Sequence, residues 1–310
     1  MASSLADDLA RAVLGEPVLT SAEVAGGGGV SLDEARRLWR AMGFPPVAED
    51  QRIFTAADAA TLGAARALVA QNVTAPEVLV QLTRVMGLSL SRIAEAQIAA
   101  RADTAEIDAA TVAALANAVE PLLAYVWRRH LVAAALRAAT TLTAEGEVQM
   151  VVGFADLVGF TAFSQRREPA ELAAAVDRFE ALAYEHIPER GGRVIKMIGD
   201  EVMFAVEEPA AAAAIALALV DAYGRDPQLP AVRVGLASGP VLAWQGDLYG
   251  PTVNLASRLV NIARPGTVLA AEELGAQLER QENLELRHLR GEHLKGIGRV
   301  RLWVVREKAS

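Results

Sequence analysis

Over roughly the first 140 positions, apolar and polar residues alternate with the period of a helix. Val78, Leu79, Leu82, Val85 and Met86 recur at three- and four-residue spacing. Ile107, Val112, Leu115, Val119, Leu122, Val126 and Leu136 extend the pattern over a longer stretch. Such spacing lays one apolar face along each helix. Helix starts are marked where a Ser or Thr precedes a Glu by three residues, so that the two can cap each other's backbone N–H. Thr20 with Glu23, Ser31 with Glu34 and Thr74 with Glu77 fit. Gly26 to Gly29 predict a turn between the first two helices, which then form a helix-turn-helix pair. Gly87 predicts a stop. The longest helix spans about Thr104 to Ala139, and Pro121 inside it predicts a break or kink.

The period then changes. Thr140 to Glu147 is polar and threonine-rich and reads as a linker, 141–148. Beyond it, strands are expected near 149–156, 193–198, 201–206 and 231–238, with shorter ones near 266–270 and 299–305. Helices are expected near 168–187, 209–223, 252–263 and 271–279. Strand-helix-hairpin-helix-strand is the ferredoxin-like order. The expected class is α+β: an all-α domain over 1–140, then a ferredoxin-like domain over 149–310.

Composition narrows what such a chain does. Its 310 residues suit about two domains. The net charge of −8 argues against a nucleic-acid-binding face, which is basic. The absence of cysteine excludes disulfides, thiol catalysis and cysteine-held zinc, and fits the cytoplasm. Read on charge and hydropathy alone, no stretch predicts a membrane span, and the N-terminus lacks the basic and apolar regions of a secretory signal. A cytoplasmic protein with at most peripheral membrane contact is expected.

Two aspartates carry the candidate chemistry. Asp156 lies in Phe154-Ala155-Asp156-Leu157-Val158-Gly159-Phe160-Thr161, a strand running into a turn and a helix. Asp200 lies in Lys196-Met197-Ile198-Gly199-Asp200-Glu201, a hairpin turn. Two carboxylates at strand ends suit magnesium or manganese. A two-metal site clamps the attacking and leaving oxygens of a phosphoryl displacement. The backbone N–H groups of Leu157, Val158, Gly159, Phe160 and Thr161 open a helix, where phosphate is favoured. Downstream, Asp247 to Arg258 place Asn254 and Arg258 four apart, on one helix face.

These three segments together resemble the catalytic domain of class III nucleotidyl cyclases, over about Gln149 to Val305. The resemblance implies roles by position. Asp156 and Asp200 match the metal-binding aspartates, holding two Mg2+ or Mn2+. Lys196 and Asp247 match the pair that selects the base, Asn254 the residue that orients the ribose, and Arg258 the arginine that stabilises the transition state. Lys295 resembles a lysine that contacts the triphosphate. A lysine donor with an aspartate acceptor complements adenine and mismatches guanine, at about 1–3 kcal/mol per mismatched group. The implied reaction is attack of the ATP ribose 3′-hydroxyl on the α-phosphorus, giving cyclic AMP and pyrophosphate. The family shares each site between two chains, so a head-to-tail homodimer is implied.

The layout of the first half resembles that of bacterial, mostly actinobacterial, cyclases with a helical regulatory domain. That resemblance implies control by pH and a fatty-acid pocket in this domain. Thr20 to Gly43 also looks like the start of a MerR-type winged helix, with Arg36, Arg37 and Arg40 placed for phosphate. The acidity of the chain argues against DNA and for a regulatory use of the fold. The alternatives are a catalytically silent nucleotide sensor and a DNA-binding regulator.

Overall fold

A computed structural model describes residues 2–102, 107–141, 147–294 and 298–308. The chain divides into two compact units, Met1–Arg137 and Ala138–Ser310, each described by itself.

The first unit is helical: α1 (Ala2–Leu14), α2 (Ser21–Gly28), α3 (Leu32–Met42), α4 (Ala56–Ala70), α5 (Pro76–Ala102) and α6, which runs Ala109–Thr141. The first two capping boxes form as expected. Thr20 N–H donates to Glu23 at 2.8 Å and Ser31 N–H to Glu34 at 2.8 Å. The other glycine and threonine expectations are corrected. Gly26 to Gly28 lie inside α2, and only Gly29 turns out of it, at φ 69°. The reason is packing: a Cβ on Gly28 would stand 2.7 Å from the Leu62 Cβ of α4. Gly87 does not stop α5. Its bare Cα lets the helix pass the end of α3, where a Cβ would meet the Met42 carbonyl oxygen at 2.3 Å. Thr74 does not start a helix, since α5 begins at Pro76. Pro121 lies within α6 without ending it.

The core of this unit is small: Val24, Ala25, Ala35, Leu38, Leu62 and Leu79. Trp39 stacks on Phe54 at 4.7 Å. By contrast Leu82, Met86 and Leu88 of α5, and Leu122, Tyr125, Trp127, Leu131 and Val132 of α6, are exposed. Over Ala109–Ala139, α6 is long and apolar enough to cross a membrane by length and composition. This corrects the expectation that no stretch qualifies. Residues 142–146 of the expected linker lie outside the described residues. Glu147 and Val148, also expected there, already belong to the first strand.

The second unit comprises β1 (Glu147–Leu157), α7 (Phe160–Ser164), α8 (Pro169–Glu189), β2 (Arg193–Ile198), β3 (Glu201–Val206), α9 (Pro209–Arg225), β4 (Val232–Trp244), β5 (Asp247–Tyr249), α10 (Pro251–Ile262), β6 (Val268–Ala271), α11 (Glu272–Leu278), β7 (Leu284–Leu294) and β8 (Gly298–Glu307). The sheet order is β2-β3-β1-β4-β6-β8-β7, with β5 paired to β4. Its first four strands are antiparallel and in ferredoxin-like order. The unit is therefore an extended α+β domain of the expected class. Two-residue alternation sorts β1 between two cores. Val151, Ala155 and Leu157 pack with α8 and α9. Met150, Val152 and Phe154 face α10 through Ala256, Leu259 and Val260. Asp156 follows them on the α10 side. Gly235 makes that contact close, since a Cβ there would stand 2.3 Å from the Val260 nitrogen.

Candidate active site

The end of β1 and the β2–β3 turn are tied by Leu157 N–H donating to the Asp200 carbonyl at 3.1 Å. Gly199, at φ 64°, lets the hairpin turn there. Asp156 stands opposite Glu201 of β3 and opposite Arg233 of β4 in register. Three carboxylates therefore share one corner: Asp156, Asp200 and Glu201. Burial, then the neighbouring Asp156 and Asp200 charges, push the Glu201 carboxyl up to about 7. Burial also raises Asp156, against the opposing pull of Arg233.

Arg233 was not among the residues singled out in the sequence. Its Nε donates to Asp156 Oδ2 at 2.7 Å, and its Nη1 donates to the Asn261 carbonyl at 2.9 Å. The available signal was a lone arginine inside the apolar strand Val232-Arg233-Val234-Gly235-Leu236. Among the described residues no three-ligand metal cage is formed. Two facing carboxylates still fit magnesium or manganese, which commonly take one or two carboxylates and complete their shell with phosphate and water.

The turn expected to face phosphate has fewer free amides than expected. Leu157 N–H is held by Asp200, and Val158 N–H donates to the Ala231 carbonyl at 2.9 Å. Both are thereby engaged by the backbone, which corrects their expected role as phosphate donors. Gly159, in the left-handed region at φ 73°, starts α7 and leaves the amides of Gly159, Phe160 and Thr161 at its opening.

A second group forms elsewhere in the unit. Lys196 of β2 and Asp247 of β5, 51 residues apart, meet at 2.5 Å between Nζ and Oδ2. Asp247 also accepts from Leu248 N–H at 2.8 Å. Asn254 and Arg258 line a cleft of about 760 Å³ with Ser238 to Pro240, Glu273 and Arg299. None of Asp156, Asp200, Glu201 or Arg233 lines it. On β4, Gly239 lies six residues beyond Arg233, or about 20 Å along an extended strand. The acidic corner is thus separate from the cleft of Asn254 and Arg258, and neither Lys196 nor Asp247 lines that cleft. Lys295 lies outside the described residues.

The matching family profile is the adenylate and guanylate cyclase catalytic domain, over residues 142–307. An adenylate cyclase of Glutamicibacter nicotianae is 38% identical over 287 residues, covering 84% of this chain and 71% of the relative. One from Streptomyces coelicolor is 38% identical over 272 residues, covering 82% and 71%. A pH-sensitive adenylate cyclase of Mycobacterium tuberculosis is 32% identical over 316 residues, covering 94% of this chain and 79% of its own. The chain belongs to the adenylate and guanylate cyclase family, the class III nucleotidyl cyclases. Its match to the two adenylate cyclases and to the pH-sensitive enzyme runs through the helical unit as well as the catalytic one.

Proposed function

We propose that this chain is an adenylate cyclase that converts ATP to 3′,5′-cyclic AMP and pyrophosphate, at a site completed by a second copy of itself. The observation that carries this reading is the split of the site residues. The cleft lined by Asn254 and Arg258 includes none of Asp156, Asp200, Glu201 or Arg233, which supports a site whose two halves come from different copies. Head-to-tail pairing of two copies brings one surface of each against the other and makes two equivalent sites.

In that site Asp156 and Asp200 would hold two magnesium or manganese ions against the triphosphate. Such ions, when bound, lower the pKa of the ribose hydroxyl and offset phosphate charge. Arg233 holds the Asp156 carboxylate in place, and a metal held by Asp156 would compete with that pairing. Lys196 donates to the adenine ring nitrogen while Asp247 accepts from the exocyclic amine, and their ion pair holds both side chains ready. Asn254 fixes the ribose. Arg258, which has no carboxylate partner among the described residues, offsets charge on the reacting phosphoryl oxygens. The open amides at Gly159 to Thr161 face the phosphate chain.

The helical unit serves as the regulatory and dimerising part, with a second copy covering the exposed apolar residues of α5 and α6. Its full-length similarity to a pH-sensitive enzyme supports control by pH, and the apolar helices offer a surface for a fatty acid. The helix-turn-helix is less suited to DNA than its arginines suggest: Arg36 pairs with Glu49 at 2.5 Å. An enzyme consuming ATP and carrying no cysteine fits the cytoplasm.

The test is cyclic AMP production by the purified chain with magnesium or manganese, from acid to mildly alkaline pH. ATP should be turned over and GTP should not. Nucleotide binding without turnover in either metal would support the silent sensor instead.

A further inference from the structure

We propose that the catalytic unit carries a second anion site, on the α10-facing side of β6, β8 and β7, that binds a small organic molecule bearing two or more phosphate charges. Arg264 follows α10, Arg287 stands on β7 and Arg306 on β8. The three converge on a cleft of about 690 Å³ floored by Leu269, Leu302 and Val304. This cleft shares no lining residue with the one that holds Asn254 and Arg258.

Charge is the first argument. Among the described residues, no acidic side chain lines the cleft. Glu285 lies opposite Arg306 in register, yet the two form no ion pair. Elsewhere in this unit arginines are typically held by carboxylates: Arg178 by Asp226, Arg225 by Asp221, Arg233 by Asp156 and Arg301 by Glu272. Arg166 and Arg280, which line neither cleft, likewise have no ion pair among the described residues, so what sets the two clefts apart is that such arginines are grouped there. Arg258 and Arg299 line the one assigned to ATP, and Arg264, Arg287 and Arg306 line this one. Three arginines without an ion pair around one space, with Glu285 the one carboxylate paired to them in register, are complementary to an anion in a chain of net charge −8.

Shape and chemistry narrow the class. Each guanidinium presents a planar fork that matches two phosphate oxygens, so three forks exceed what a single carboxylate can fill. The apolar surface the cleft offers is on its wall, where Ile262 is exposed and Leu289 half-buried, and it takes an apolar ring or chain beside the charged part. The volume is close to that of the cleft assigned to the nucleotide. The competing account is that the arginine stems only cover a bare sheet face. That account needs the methylenes and not the charges, which a methionine replacement separates.

The experiment uses the full chain carrying Arg258→Ala, so that the ATP cleft is weakened, in EDTA, titrated by calorimetry with ADP and with pyrophosphate. Saturable binding is expected, tighter for ADP than for pyrophosphate because the apolar wall holds the organic part. Adding Arg287→Met and Arg306→Met should weaken both by about tenfold or more. Arg264→Met, a single change in a loop, should weaken them in the same direction and guards against misfolding of the double variant. Absence of saturable binding, or affinities unchanged by the methionine variants, overturns the site. Equal affinity for ADP and pyrophosphate overturns the organic part of the assignment.

Discussion

The two units differ in how completely each closes on itself. In the catalytic unit both sides of the sheet are covered, and Leu236, Leu259 and Leu302 are fully buried. In the helical unit six residues make the buried core, while Trp127, Leu131 and Val132 face outward. Burying such side chains stabilises by about 1.5–3 kcal/mol each, so leaving several exposed points to a partner surface. The catalytic unit is complete in packing but incomplete in chemistry. Under the proposed reading, its acidic corner and its Lys196, Asp247, Asn254 and Arg258 are each half of a site. Under that reading both units call for a second copy, one to cover apolar surface and the other to finish polar chemistry.

Breaking the chemical half should have the largest effect. Asp156→Ala or Asp200→Ala should lower the cyclic AMP rate by about a thousandfold or more, and Arg258→Ala by roughly 10²–10³, measured as kcat with manganese. The helical unit should remain folded by circular dichroism in each case.

Exchanging the base-facing pair sharpens the same half. Lys196→Glu with Asp247→Lys keeps the ion pair and reverses the donor and acceptor. The preference for ATP over GTP, as a ratio of kcat/KM, should fall by roughly a hundredfold.

Breaking the apolar half acts through association. Leu131→Glu with Val132→Glu should raise the dimer dissociation constant by about tenfold or more, read by sedimentation. Specific activity should then depend on protein concentration.

The smallest effect is a pH dependence at the acidic corner. The Glu201 carboxyl is raised from its ordinary value of 4.5 to about 7. The folded state therefore holds this proton more tightly than the unfolded state, and stability falls as pH rises from about 4.5 to 7. Glu201→Gln should stabilise the metal-free protein above pH 7 by on the order of 1 kcal/mol, given its partial exposure, and do little below pH 4.5. Chemical denaturation at pH 4 and pH 8 measures the difference.

Much of the catalytic unit is legible in the sequence because its strands alternate and its helices carry clear boundaries. β7 went unassigned although Leu284-Glu285-Leu286-Arg287 alternates cleanly, because a half-exposed outer strand looks polar. β5 is three residues long and has too little pattern to read. The glycines misled for a physical reason: Gly28 and Gly87 serve close helix packing, which a sequence cannot distinguish from a turn without knowing what passes by. Lys196 and Asp247 were visible as candidates only through the family resemblance, since a 51-residue separation hides their contact. Arg233 needed the register of β1 on β4. Arg264, Arg287 and Arg306 are scattered in sequence, and only the fold gathers them.

The central claim is that each site draws on two copies of the chain. Mixing full-length Asp156→Ala and Arg258→Ala proteins, each inactive alone, tests it most directly. If the copies exchange freely, the mixture should recover about a quarter of the wild-type cyclic AMP rate, because half the dimers carry one intact site. Exchange is confirmed by mass spectrometry of the mixed dimer. No recovery in a mixture shown to contain that dimer would contradict the account.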